Sequence, residues 1–118
     1  MNEDLRLVPA TRTDAQALAA MHMKLVEEEG RHELADLAQN TKRMLEAILG
    51  YYRALLVYEK SVCVGYILFH IDLTHIFLSE MYLSANARGK GYGSQVLEHL
   101  LEGEWSWATR IHTEVSAQ

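Results

Sequence analysis

The apolar residues near the start of the chain recur first with the spacing of a strand and then with that of a helix. Leu5, Leu7 and Pro9 occupy alternate positions and predict a short strand. Two segments with apolar residues at helical spacing follow and predict two helices, and Gly30 and Gly50 lie where these helices should end. The apolar faces of these predicted helices consist of Ala17, Leu18, Met21, Leu25 and Val26, and of Leu34, Leu37, Thr41, Met44, Leu45 and Ile48.

Three strand-like runs then follow one another with short turns between them. Residues 54–59, 62–70 and 75–83 are rich in β-branched and aromatic side chains, as strands are. Lys60-Ser61 and the segment from Asp72 to Thr74 are the turn candidates. The pattern predicts a three-stranded antiparallel meander.

The last third of the chain predicts one helix and one strand. An apolar stripe at helical spacing precedes Gly103, and Ile111 to Val115 reads as a strand. The stripe consists of Val96, Leu97, Leu100 and Leu101, and Trp105 and Trp107 in the connection are interpreted as packing anchors. The predicted order is β-α-α-β-β-β-α-β, which is an α+β domain with a mixed sheet. Residues 1–118 show no repeat or linker and are interpreted as a single domain.

Composition narrows the classes of protein. A hydrophobic fraction of 49% supports a packed core, and a formal net charge of −5 argues against a nucleic-acid binder. Neither a secretory signal nor a membrane-length apolar run is present, so no membrane association is expected. Cys63 is the single cysteine, which favours a reducing, cytoplasmic location.

The most distinctive segment reads Arg-Gly-Lys-Gly-Tyr-Gly over residues 88–93, between the last meander strand and a helix predicted to begin near Tyr92 or Gly93. Glycines at alternate positions let backbone N–H groups approach a ligand closely. The first N–H groups of a helix lack internal partners and lie at the positive end of its dipole. The segment therefore predicts an anion site, typically for phosphate or pyrophosphate.

Two other glycine-rich nucleotide motifs fit less well. The P-loop requires Gly-Lys-Ser/Thr, which the chain lacks. The dinucleotide fingerprint is nearly met by Gly89 and Gly91, with Glu114 about 20 residues further on. However, Ser94 occupies the place of the third glycine, and a five-residue gap separates Gly89 from the strand end at Leu83.

With its preceding strand and following helix, the segment resembles the signature Arg/Gln-x-x-Gly-x-Gly/Ala of the GNAT superfamily of acyl-CoA N-acetyltransferases. Residues 78–83 look like the fourth strand of that family and residues 108–115 like its fifth. The resemblance implies a GNAT-like acyl-CoA N-acyltransferase fold over essentially the whole chain. It also implies transfer of an acetyl group from acetyl-CoA to the primary amine of a small molecule or peptide by direct attack, with no metal.

The resemblance further implies which residues bind acetyl-CoA. Backbone groups of the fourth strand would pair with the pantetheine arm like an added strand. The loop N–H groups would hold the pyrophosphate, with charge from Arg88 and Lys90 unless these are solvated. The implied binding residues are Met81, Tyr82, Leu83, Arg88, Gly89, Lys90, Gly91, Tyr92, Gly93 and Ser94.

Glu80 is the candidate catalytic base. An amine has a pKa near 10, so it must lose a proton before it attacks, and a positioned carboxylate can accept that proton. Glu80 lies in an otherwise apolar strand, where its side chain faces either a cleft or solvent. N–H groups near a bulge in this strand, around Met81 or Tyr82, would stabilise the oxyanion. No residue is assigned as the general acid.

The chain departs from the family pattern at its end, because the usual C-terminal helix and last two strands do not follow Gln118. The fold is thus expected to be C-terminally short, with an exposed sheet edge at its fifth strand. Such an edge invites pairing with another chain, so a homodimer that completes the sheet is a hypothesis. A catalytically silent CoA-binding module, or a truncated remnant of such an enzyme, remains the alternative.

Two further groups of residues carry open interpretations. The six histidines (His22, His32, His70, His75, His99 and His112) show no convincing metal-ligand spacing and are interpreted as structural or exposed. His22 on the first helix could reach the acceptor site, but a lone helical histidine is usually not functional. Glu27, Glu28, Glu29, Glu33 and Asp36 cluster after the first helix. They either attract a cationic amine or form an ordinary solvated helix end.

Overall fold

The computed structural model of the protein describes residues 1–113. Its helices and strands are β1 (Leu5–Pro9), α1 (Ala15–Glu28), α2 (Leu37–Leu49), β2 (Arg53–Glu59), β3 (Val62–Asp72), β4 (His75–Leu83), α3 (Tyr92–Glu102) and β5 (Arg110–Thr113). Short 3₁₀ turns at Arg12–Asp14 and Ala85–Ala87 precede α1 and follow β4. The predicted order of elements is confirmed.

The five strands form one mixed sheet in the order β1-β2-β3-β4-β5. The first three pairings are antiparallel, and β5 pairs parallel to β4 because α3 carries the chain back across the sheet. The α+β class and the meander are therefore confirmed. Within the described residues no helix is long and apolar enough to cross a membrane.

Helices cover both faces of the sheet. α3 packs on one face, where Val96 and Leu100 join a core with β-strand residues and Trp105. α1 and α2 pack on the other face, and their buried partners from the sheet are Ala54, Leu56, Tyr66, Leu68 and Tyr82. Both faces are buried because both carry apolar side chains, so β2, β3 and β4 read as nearly continuous apolar runs.

A β-bulge at Ser79 decides which way the second half of β4 faces. Leu68 of β3 lies opposite Glu80, whereas the next residue, Phe69, lies opposite Leu78, so Ser79 is an extra residue in β4. Beyond the bulge Met81 joins the α3 side. Glu80 consequently faces α1 and α2, although strict alternation from Leu78 would have directed it toward α3. The bulge precedes Glu80 and does not lie at Met81 or Tyr82, so its expected position is corrected.

The structure also corrects the start of the second helix. α2 begins at Leu37 because Asp36 caps it, its carboxylate accepting from the Gln39 N–H at 2.9 Å. Leu34 precedes this cap and is fully exposed, so it is not part of the apolar face. Trp105 is buried as expected, but Trp107 is 44% exposed and is not a packing anchor. Val115, the expected end of the last strand, lies outside the described residues.

Candidate functional site

The glycine segment forms a loop that leads directly into the N-terminus of α3. Gly89 and Gly91 adopt φ values of +76° and +75°, which favour glycine strongly over other residues. The Gln95 N–H bonds to the Gly91 carbonyl at 3.1 Å, so the N–H groups of Tyr92, Gly93 and Ser94 precede the first bond of the helix. Among the described residues no side chain caps this helix. The arrangement suits an anion at the loop.

Both cationic side chains of the loop are held by carboxylates. Arg88 donates through Nε to the Leu83 carbonyl at 2.7 Å and through Nη2 to Glu28 at the end of α1. Lys90 Nζ lies 3.4 Å from a carboxylate oxygen of Glu59 on β2. These contacts anchor the loop to β4, α1 and β2. Because both cationic side chains already have carboxylate partners, the backbone N–H groups are the main positive groups that the loop presents to an anion.

The same Glu59 carboxylate also accepts a hydrogen bond from the Tyr92 hydroxyl. This hydrogen bond lowers the pKa of Glu59, with smaller help from Lys90, and raises the pKa of Tyr92. The carboxylate therefore links the loop to the first turn of α3.

The segment of β4 after the bulge has one side directed away from β3. The Ser84 N–H bonds to the Val64 carbonyl at 2.7 Å. Because bonding direction alternates along an antiparallel strand, Met81 and Leu83 direct their backbone groups away from β3, whereas Tyr82 directs its own toward β3. In the described part of the chain, β5 pairs with β4 only from His75 to Leu78. Of the three residues expected to pair with an extended ligand, Met81 and Leu83 are oriented away from β3, and the Leu83 carbonyl accepts from Arg88.

Glu80 is largely buried and is held by two donors from different elements. The Tyr66 hydroxyl on β3 donates to Glu80 Oε1 at 2.8 Å. His22 Nδ1 on α1 lies 2.9 Å from Oε2 and 3.1 Å from Oε1 of the same carboxylate. Burial, followed by the adjacent Glu80, raises the pKa of Tyr66, so its phenol keeps the proton that it donates.

His22 joins Glu80 to a second carboxylate. Its other ring nitrogen, Nε2, lies 3.1 Å from Glu33 Oε1 in the segment between α1 and α2. The hydrogen bond to Glu80 is the main cause that raises the pKa of His22, against a smaller lowering by burial, and Glu33 adds to the rise. Glu33 is also 3.7 Å from Arg31. A chain of polar contacts thus runs from Tyr66 through Glu80 and His22 to Glu33.

The residues Glu80, His22 and Glu33 line a cleft between the sheet and the two helices of that face. The cleft has a volume of about 190 Å³, and Leu68, Met44 and Arg43 complete much of its wall. A second cleft of about 260 Å³ shares Glu33 and Asn40 with it. Asn40 is buried and its Nδ2 donates to the carbonyls of Ala35 and Asp36 at 3.1 and 3.0 Å, so it shapes this wall.

Sequence reasoning named Glu80 as the candidate base but did not connect it with Tyr66, His22 or Glu33. His22 and Glu80 are 58 residues apart, and no local spacing connects a helix residue with a strand residue at that separation. The acidic cluster after α1 and the position of His22 on the first helix were the signals in the vicinity, and the structure brings one member of the cluster, Glu33, to the cleft. Glu28 of the same cluster instead binds Arg88.

The other histidines of the sheet and Cys63 make packing contacts and show no sign of a metal site or a nucleophile. His70, Phe77 and His112 stack across three strands, with ring centroids 4.8 and 4.4 Å apart, and His75 Nδ1 lies 3.0 Å from His112 Nε2. No group of three or more potential metal ligands occurs among residues 1–113. Burial raises the pKa of the Cys63 thiol, which disfavours the thiolate needed of a nucleophile.

Comparison with known proteins identifies related folds. No curated protein sequence matches the chain significantly. An acetyltransferase from Thermus thermophilus superposes with a TM-score of 0.77 at 24% identity, over 97% of this chain and 77% of that one. A predicted acetyltransferase with acetyl-CoA from Clostridium acetobutylicum gives 0.73 at 16% identity, over 95% and 81%. An aminoglycoside N-acetyltransferase in complex with CoA gives 0.71 at 9% identity, over 98% and 80%. The family model described as "Acetyltransferase (GNAT) family" matches residues 15–117.

Proposed function

The chain belongs to the acetyltransferase (GNAT) family, and on that premise we propose that it transfers an acetyl group from acetyl-CoA to the primary amine of a small molecule or peptide. The observation that carries the proposal is the loop at Gly89 and Gly91, which presents backbone N–H groups at the start of α3 beside the side of β4 that is directed away from β3. A pyrophosphate and an extended amide-containing arm need these two features side by side.

The residues of this region fit acetyl-CoA chemically. The N–H groups of Tyr92, Gly93 and Ser94 are suited to the pyrophosphate, and the backbone of Met81 is suited to an amide of the arm. Arg88 and Lys90 would add charge when phosphate oxygens replace their present carboxylate partners. Acetyl-CoA supplies a thioester carbon that an amine attacks, and no metal ion is part of the proposal.

Glu80 is the carboxylate on which, in this proposal, removal of the proton from the amine depends. Its carboxylate lines the cleft beside the same strand that would hold the acetyl donor. A primary amine is protonated at neutral pH and cannot attack until it loses a proton, so a base in this position is required. Glu80 acts on the amine either directly or through a group bound to it.

The acceptor in this proposal is a cationic amine. Two carboxylates, Glu80 and Glu33, line the cleft, and the second cleft adds Glu27. Opposite charges attract an ammonium group and raise its local concentration. Arg43 is the cation on the same wall, so acceptors with a single positive group near Glu80 are favoured over those with many.

Binding and turnover test the proposal separately. Isothermal titration calorimetry with acetyl-CoA should give saturable binding, and a thiol-release assay should give turnover with at least one member of an amine panel. The panel would contain an alkyl monoamine, a diamine, an amino sugar and a dipeptide. Glu80→Gln should keep acetyl-CoA affinity and lose turnover about 100-fold or more. Binding without turnover by the unchanged protein would instead favour a silent CoA-binding module.

A homodimer and a cytoplasmic location remain proposals. β5 forms one edge of the sheet within residues 1–113, and an exposed edge can pair with a second copy. Size-exclusion chromatography with light scattering over a range of concentrations tests the dimer, and a monomer throughout would contradict it.

A further inference from the structure

Glu80 contacts His22 inside the cleft, and the geometry of this pair suggests that the two side chains have different roles. The carboxylate lies 2.9 Å from Nδ1, and Tyr66 holds the same carboxylate from the other side at 2.8 Å. A carboxylate at one ring nitrogen favours a proton on that nitrogen, because two acceptors cannot face each other. When the ring is neutral, Nδ1 therefore carries the proton and Nε2 carries the lone pair.

Nε2 is directed into the cleft toward Glu33, at 3.1 Å. When the ring is protonated, its Nε2–H donates to Glu33. When the ring is neutral, the Nε2 lone pair and the Glu33 carboxylate face each other as two acceptors. A donor with two hydrogens, such as an ammonium group, satisfies both. The Nε2–H of the protonated ring, which donates to Glu33, thus occupies the position that an ammonium donor fits.

We propose that His22 Nε2 accepts the proton from the acceptor amine, that Glu80 positions the His22 ring and fixes its tautomer, and that Glu33 binds the ammonium group. This inference rests on the proposed acetyl transfer. A base oriented by a buried carboxylate that is itself hydrogen-bonded is a general solution for proton transfer. Glu80 then acts through His22, and His22 is the catalytic residue.

The proton balance of the step is complete. One of the three ammonium protons passes to Nε2, and the nitrogen lone pair so released forms the bond to the thioester carbon while the carbon–sulfur bond breaks. A second proton passes from nitrogen to the CoA thiolate, and the third remains on the amide. The proton on His22 then leaves to solvent past Glu33, which is the more exposed carboxylate of the pair.

The titratable and charged groups around His22 come from several elements. They are Glu80 on β4, Tyr66 on β3 through its bond to Glu80, Glu33 with its neighbour Arg31 after α1, and Arg43 on α2 across the cleft. Glu80 and Glu33 both raise the pKa of His22. Loss of either carboxylate should therefore shift the titration of His22 to lower pH without abolishing it.

The pH profile of turnover separates the two candidate bases. His22→Gln should lower kcat at pH 7 by about 100-fold or more and remove the acid limb of the profile. Glu80→Gln should lower kcat but keep that limb at a lower pH. Glu33→Gln should mainly raise KM for the amine. The opposite result, in which His22→Gln keeps the limb and Glu80→Gln loses it, would assign the base to Glu80 and overturn the proposal.

Controls keep the outcomes distinct. His99→Gln changes an exposed histidine on α3 and should leave every parameter unchanged. Acetyl-CoA affinity measured by calorimetry reports whether each variant folds. His22→Asn replaces His22→Gln in the assay if His22→Gln does not fold.

If the unchanged protein turns over no amine, the proposed acetyl-transfer function is itself wrong. Nitrogen NMR of labelled histidine reads the tautomer without turnover, and a neutral His22 protonated at Nε2 would overturn the assigned roles.

Discussion

Replacement of Gly89 by alanine tests whether the backbone of the glycine loop binds acetyl-CoA. Gly89 has a φ of +76°, and a Cβ atom built there meets nothing within 4 Å, so the only penalty is conformational. Such a backbone costs a residue other than glycine about 1–2 kcal/mol. The free loop can relax away from this conformation, but the bound loop must keep it. The penalty should therefore appear in binding, as a Kd for acetyl-CoA about 5- to 30-fold higher.

Gly30 offers a matched control at the end of α1. Its φ is +71°, and a Cβ atom there also meets nothing within 4 Å, so Gly30→Ala carries the same conformational penalty away from the loop. Urea denaturation should show a stability loss of about 1–2 kcal/mol for Gly30→Ala, with an unchanged Kd by calorimetry. Equal affinity of Gly89→Ala and the unchanged protein would refute the role of the loop, as would equal loss of affinity in both variants.

Three further predictions follow from named contacts. Gly65→Ala should lose about 1–3 kcal/mol in urea denaturation, because the new Cβ would lie 2.1 Å from the Tyr82 carbonyl oxygen across the β3–β4 pairing; unchanged stability would contradict that register. Glu28→Gln should tighten acetyl-CoA binding about 2- to 5-fold at low salt, since it frees Arg88 and removes a negative charge near the loop, and the gain should shrink at high salt in calorimetry. His22 has a pKa raised above 6.5, chiefly by its hydrogen bond to a carboxylate, so its contribution to stability is fully present below about pH 6.5 and is lost as pH rises through the folded-state pKa. Urea midpoints between pH 5 and 9 should show this loss in the unchanged protein but not in His22→Gln; the same loss in both would contradict it.

The order of elements and the anion loop follow from local patterns, because the signals lie within a few residues of what they determine. Alternation predicted β1 through Leu5 and Leu7, and Gly50 marked the end of α2. The alternating glycines before an amphipathic helix identified the loop, since the residues that need a positive φ, Gly89 and Gly91, directly precede the exposed N–H groups at the helix start. The predicted start of α2 was wrong. Leu34 has helical spacing, but the helix begins only after Asp36, whose side chain caps it.

The side chains that meet at the candidate site were decided by the tertiary structure. The bulge at Ser79 exchanges the faces of the sheet to which the side chains after it point, so Glu80 faces α1. Simple alternation along the sequence does not predict this, because it does not allow for an unpaired extra residue. His22 lies 58 residues from Glu80 along the chain and within hydrogen-bond distance of it only because α1 packs on that face. The sequence by itself thus determined the elements and the anion loop, whose causes are local. The packing of helices against a bulged sheet determined which charges face one another, because that depends on orientation in three dimensions.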